Sequence, residues 1–149
     1  MTFLGTIFKQ RRTRSDMNED EKFYLMACSD LLEEITPVID GVEVMHDFFG
    51  EKIAESKYEN EMKKCRDIVK KTLSGSADIK APERFKEMHE HLVNGFRYFN
   101  DSYTESLVYL TDRQREHIAK AIELALLGSA EFRDGNKQWE KLKKETMIE

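Results

Sequence analysis

Glu43-Val-Met-His46 sets a carboxylate and an imidazole three residues apart, which on a helix puts both on one face. Di-iron and di-manganese four-helix proteins hold metal with two such Glu-x-x-His pairs and two further glutamates. Counted from the reversal expected near Glu51, His117, Glu116, Glu105 and Glu55 fall at a similar height, so Glu43, His46 and His117 define an alternative, carboxylate-histidine metal reading. The second pair is missing. Glu87 and His91 are four apart and lie, with His89, towards the other end. The plainer expectation is that His46 and His117 have ordinary partners and that the chain needs no metal or cofactor.

The remaining reactive side chains point the same way. His89 falls on an apolar row, where a lone imidazole is more often a hydrogen-bonded core residue than a catalyst. His89 and His91 are two apart and face different directions on a helix, so they cannot chelate together. Cys28 and Cys65 also lie on apolar rows. Their distances from the Glu51 turn differ by about 13 Å in height, too much for a disulfide and consistent with two reduced core thiols. The chain contains no glycine-rich phosphate loop and no nucleophile elbow, so it presents no catalytic residue and reads as non-enzymatic.

The most distinctive stretch is the beginning. Phe3, Leu4, Ile7 and Phe8 would share a helical face, and Lys9, Arg11, Arg12 and Arg14 follow at once. This is the pattern of a short interfacial anchor beside a polybasic patch. Residues 1–14 carry +4 with no acid, which leaves −9 on the rest of a chain whose formal charge is −5. So acidic a body repels phosphate backbones, and nucleic acid is not expected as a partner. An anionic membrane surface or a protein partner would have to meet the first 14 residues.

These groups must be positioned by helices. The chain has 149 residues, 36% of them charged and 40% hydrophobic, with 2 Pro, 7 Gly and 2 Cys, a balance that disfavours a β-sandwich or a disulfide scaffold. No run approaches the roughly 20 apolar residues of a membrane span, and no secretory leader is recognisable, so a cytoplasmic location is expected, peripheral to a membrane if the first residues dock there. Residues 15–149 are expected to form a single domain.

Four apolar rows predict four helices. The first spans about residues 18–49, with Asn18 or Asp16 as cap and the row Tyr24, Cys28, Leu31, Ile35, Val38, Val42, Met45, Phe49. Because the row stays in phase through Pro37, a kink is expected there and not a stop. A second row, Leu25, Leu32, Ile39 and His46, widens the stripe and makes a homodimer through this face a further expectation. The second helix carries Tyr58, Met62, Cys65, Val69 and Thr72, and Leu73 to Asp78 reads as a loop. Pro82 opens the third, whose row is Phe85, His89, Leu92, Phe96, Phe99, Tyr103, Ser106 and Leu110. Thr111 and Gln114 suggest a capping box at the start of the fourth. There the row Ile118, Ala121, Ala125, Gly128, Phe132, Gly135, Trp139, Leu142 is half Ala and Gly, sized to receive the aromatics of the third. The expected fold is an all-α, up-down-up-down four-helix bundle.

The run from Ala81-Pro-Glu-Arg-Phe-Lys-Glu-Met-His89 to Phe99, followed by Ala121-Ile-Glu-Leu-Ala125, resembles a group of uncharacterised helical-bundle domains in Gram-positive bacterial lipoproteins and related small proteins. The resemblance spans about residues 20–142 and implies a bundle and a bacterial source. It carries over no catalytic residue. The lipobox cysteine of the lipoproteins is not seen in this chain.

Overall fold

A computed structural model describes residues 17–147. Among them are four α-helices and no strand: α1 (Glu19–Phe49), α2 (Glu55–Ala77), α3 (Lys86–Asp112) and α4 (Glu116–Met147), with a 3-10 turn at Glu83–Phe85. The all-α bundle expected from the four apolar rows is what forms.

The start of α1 is capped by Asn18, whose Oδ1 accepts the Glu21 N–H at 2.9 Å while the Glu21 carboxylate accepts the Asn18 N–H at 3.2 Å. Two of the backbone donors that a helix start leaves unpaired are thereby satisfied. Glu21 is buried, and it also receives the Arg84 guanidinium at 3.3 Å, which ties the start of α1 to the turn before α3.

Helix α1 runs unbroken through Pro37. Tyr24, Cys28, Leu31, Ile35, Val38 and Met45 are all buried as their spacing requires, while Phe49 at the end is 38% exposed. The second row divides. Leu25 and Leu32 are buried within this one chain, whereas Ile39 and His46 are exposed, so most of the apolar width that suggested a dimer is consumed internally.

One expectation fails at Leu73 to Asp78. These residues do not loop out: α2 continues to Ala77, and Asp78 is its C-terminal cap. Serine, threonine and glycine disfavour a helix only by tenths to about 1 kcal/mol each, and here packing outweighs that. The Thr72 and Ser76 hydroxyls donate to the carbonyls of Ile68 (2.9 Å) and Leu73 (2.7 Å), so neither competes for the helix N–H groups. Ser76 is fully buried, and a Cβ on Gly75 would come to 3.3 Å of Leu31.

A second correction falls at the α3–α4 reversal. The Thr111–Gln114 capping box does not form, because Thr111 is still inside α3. The chain turns at Arg113, which takes a left-handed conformation (φ 63°) and returns its N–H to the Tyr109 carbonyl at 2.7 Å. Asp112 then accepts the Gln114 N–H at 3.0 Å. Pro82 does not open α3 itself: it is the N-terminal cap of the 3-10 turn Glu83–Phe85, and α3 begins at Lys86.

Among the described residues, helices α3 and α4 make the most extensive pairing. A Cβ on Gly128 would stand 2.9 Å from the Phe99 ring and 3.2 Å from the Gly95 carbonyl. The expected filling of small positions on α4 by aromatics of α3 is present, and it is reciprocal: Phe132 of α4 occupies the space over Gly95 of α3. Phe132 packs on Phe96 and Phe99 at ring-centre distances of 5.6 Å each.

Candidate functional site

His89 is placed by α3 opposite the first turns of α1. Its Nδ1 lies 2.9 Å from the Tyr24 hydroxyl, and the two rings meet edge to face. Burial lowers the His89 pKa, with the Ser76 backbone at the end of α2 acting in the opposite sense. The bond between Tyr24 and His89 joins α1 to α3. Tyr24 itself is buried and stacked on Phe85, and burial raises its pKa far above the ordinary range. His89 is half-buried and hydrogen-bonded to a core tyrosine, as its place on an apolar row implied.

The residues of the metal reading are not assembled. Glu43 and His46 are exposed on α1. His117 has both ring nitrogens occupied, Nδ1 by Glu105 and Nε2 by Asp112 at 2.7 Å. The two carboxylates raise its pKa, since each favours the charged imidazolium. Glu55, expected at this height, pairs with Arg113 instead. Among the described residues no group of three or more His, Cys, Asp or Glu side chains is arranged to hold a metal ion.

Cys28 and Cys65 are free and buried. Burial pushes the two thiols up to about 12 and about 11 respectively, so at neutral pH both are protonated and poor nucleophiles. His91 pairs with Glu131 across α3 and α4 at 2.8 Å.

Phe3, Leu4, Ile7, Phe8, Lys9, Arg11, Arg12 and Arg14 lie outside the described residues. The surface at the start of α1 is described, and it mixes exposed apolar side chains with charged ones. Phe23 is 66% and Met26 53% exposed on the first two turns of α1. Phe23 and Ala27 line one side of a cleft of about 660 Å³ whose other side is Ile79, Ala81 and Pro82. Asp20 and Glu83 add negative charge to its lining and Lys80 and Lys86 positive.

Sequence reasoning missed three features of this geometry. The Asn18–Glu21 capping box is one, although Asn-x-x-Glu is a local signal for it. The Tyr24–His89 bond has no such signal, because its partners are 65 residues apart. Nor has the junction of the two turns, where Arg113 reaches Glu55 and Arg115 reaches the Phe49 carbonyl while its guanidinium sits 4.8 Å above the Phe49 ring.

Comparison with protein-family models, with curated proteins and with solved structures finds no match to this chain. Among the described residues no helix is long and apolar enough to cross a membrane.

Proposed function

We propose that the chain is a non-enzymatic helical module that docks, through residues 3–14, onto a protein partner or an anionic membrane surface. The observation that carries this reading is the exposure of Phe23 (66%) and Met26 (53%) on the turns of α1 nearest that segment. An anchor of four apolar residues buries little area alone, and Phe23 and Met26 offer further exposed apolar area at the start of α1. The four cations of residues 9–14 supply the attraction to an anionic surface that the acidic body lacks.

The supporting frame is read as an up-down-up-down bundle bent at Pro37. In favour of it, Tyr58 of α2 stacks on Phe48 of α1, while Gly75 of α2 lies against Leu31. Tyr24 and Val38 of α1 meet His89 and Tyr103 of α3 in the same order, and Ser102 and Glu87 of α3 meet Ala121 and Gln138 of α4 in the opposite one. The location is read as cytoplasmic and the source, from the resemblance, as bacterial. Self-association through α1 would have Ile39 as its apolar contact and is the weaker route.

Sedimentation with anionic vesicles at low salt tests the membrane arm: the full chain co-sediments, and a chain beginning at Ser15 or a Phe23→Ser/Met26→Ser variant does not. If no binding to vesicles is seen, crosslinking from residue 8 in cells should yield a defined protein adduct. Equal sedimentation of the full and shortened chains, together with no defined adduct from residue 8 of the full chain, overturns the reading.

A further inference from the structure

The outer face of α4 is a stripe that steps by four and three: Ala119, Glu123, Leu126, Ala130, Arg133 and Lys137, all exposed but the half-buried Ala130. These steps keep to one side of a helix, and they are the spacing with which two helices interlock. In the middle of the stripe Leu126 is 60% exposed, and Leu127 beside it 42%. The opposite side of α4 carries its core residues Ile118, Ala121, Ala125 and Trp139, so the two leucines point away from this chain's own interior. Single surface leucines are ordinary. What sets this face apart is the order of the charges around them. Among the described residues neither Glu123 nor Arg133, one turn to either side of the leucines, has an ion-pair partner.

The stripe is symmetric in its spacing about Gly128. Laid antiparallel on the same stripe of a second copy, Leu126 meets the partner's Ala130 and Glu123 meets the partner's Arg133. The flank of the stripe, Lys120, Leu127 and Asp134, follows the same order: Leu127 meets its own counterpart and Lys120 meets the partner's Asp134, which within its own chain has only a 3.9 Å approach to Lys137. Every charge so placed faces its opposite, the arrangement that fixes orientation in paired helices. Laid parallel, the face would set Glu123 on Glu123 and Arg133 on Arg133. Ala119 and Ala130 are small and let two helix axes approach to about 8 Å. We propose that the outer face of α4 is a dimer interface, occupied by a second copy of this chain, antiparallel about a twofold axis at the height of Gly128. Because both copies present the same patch, the pairing closes at two and does not propagate. The stripe from Ala119 to Lys137 is about 27 Å long. One helix pair of that length is smaller than the roughly 1,200–2,000 Å² interfaces of stable complexes, so the dimer is reversible, with a Kd on the order of 10–100 µM. It uses neither residues 1–14 nor Ile39 of α1 and stands independently of the docking reading.

Sedimentation equilibrium of the full chain from about 5 µM to about 1 mM tests this, with a monomer–dimer equilibrium and no larger species expected. Leu126→Glu/Leu127→Glu places four carboxylates at the centre of the dimer and is expected to raise Kd about tenfold or more. Both leucines are exposed, so this variant should melt like the parent, which assigns its loss to the interface and not to the fold. A charge reversal keeps the test independent of the leucines. Glu123→Arg sets like charges against each other twice in each dimer and should raise Kd roughly fivefold or more, and Glu123→Arg/Arg133→Glu should restore the parent's affinity. That rescue is specific to antiparallel pairing, because in a parallel pair each residue faces its own copy. The proposal is overturned if the full chain stays monomeric to about 1 mM, a concentration well above the expected Kd. It is also overturned if the leucine variant dimerises as the parent does, which would move the interface elsewhere, or if the double reversal fails to recover what the single one loses.

Discussion

Gly41 shows how much a single hydrogen atom in place of a side chain can decide. A Cβ there would lie 2.6 Å from both the Cys65 sulfur and the Tyr103 hydroxyl oxygen, and that hydroxyl donates to the Val38 carbonyl three residues earlier. Gly41→Ala should therefore destabilise the protein by about 1–3 kcal/mol, the usual cost of overpacking a filled core. Gly50 is the control. It caps α1 at φ −85°, which any residue adopts, and its nearest neighbour to a Cβ is at 3.4 Å, so Gly50→Ala should stay within about 0.5 kcal/mol. Denaturant unfolding of both variants compares them directly. The histidines make a second pair with opposite signs. The pKa of His117 is raised in the folded state by Glu105 and Asp112, so its contribution is present at acid pH and lost as pH climbs through that raised value. The pKa of His89 is lowered by burial, so its contribution is present above the ordinary imidazole range and lost as pH falls. Melting curves from pH 5 to 9 should show His117→Gln flattening the alkaline side of the profile and His89→Gln the acid side. No change in either limb would contradict the bonding described.

At the scale of elements, the two turns at one end of the bundle are tied together by Arg113 and Arg115, through Glu55 and the Phe49 carbonyl. Both arginines are exposed, and removing them should loosen the end without unfolding the whole. In an Arg113→Ala/Arg115→Ala variant, amide exchange at residues 50–55 and 112–116 should speed up while that of Phe96 and Phe99 stays slow. The α3–α4 pair answers differently, because its two backbones meet at Gly128. Gly128→Ala would push the helices apart at Phe99 and should cost about 1–3 kcal/mol. The four rows of apolar residues were readable in advance, since a stripe with helical period must be buried somewhere. The helix ends were less so. Leu73 to Asp78 read as a loop because local propensity is all that a sequence displays, and what held α2 together to Ala77 was contact between Gly75 and Leu31 from another helix. The reversal at Arg113 was misread at Thr111 for a like reason: Thr-x-x-Gln is a local signal, and a left-handed arginine after α3 has none.

For the whole molecule, the interior governs the chemistry of the thiols. Cys28 and Cys65 are both wholly buried, with pKa values pushed up to about 12 and about 11. A thiol reagent should leave the native protein unlabelled at neutral pH, and in urea the labelling of both residues should follow the unfolding curve. Rapid labelling without denaturant would show an interior more open than described. Some of the molecule was determined by the order of residues alone. Helical rows, the acidic body, the basic beginning and the small positions of α4 follow from side-chain type and spacing, which act over one or two turns. The tertiary structure alone decided that Glu43 and His46 stay outside while Glu105 and Asp112 take both nitrogens of His117, and that Tyr24 finds His89. Those meetings depend on the rotation and register of each helix against its neighbours. Both are set by how every side chain of the interior fits at once, and no local stretch of the chain carries that information.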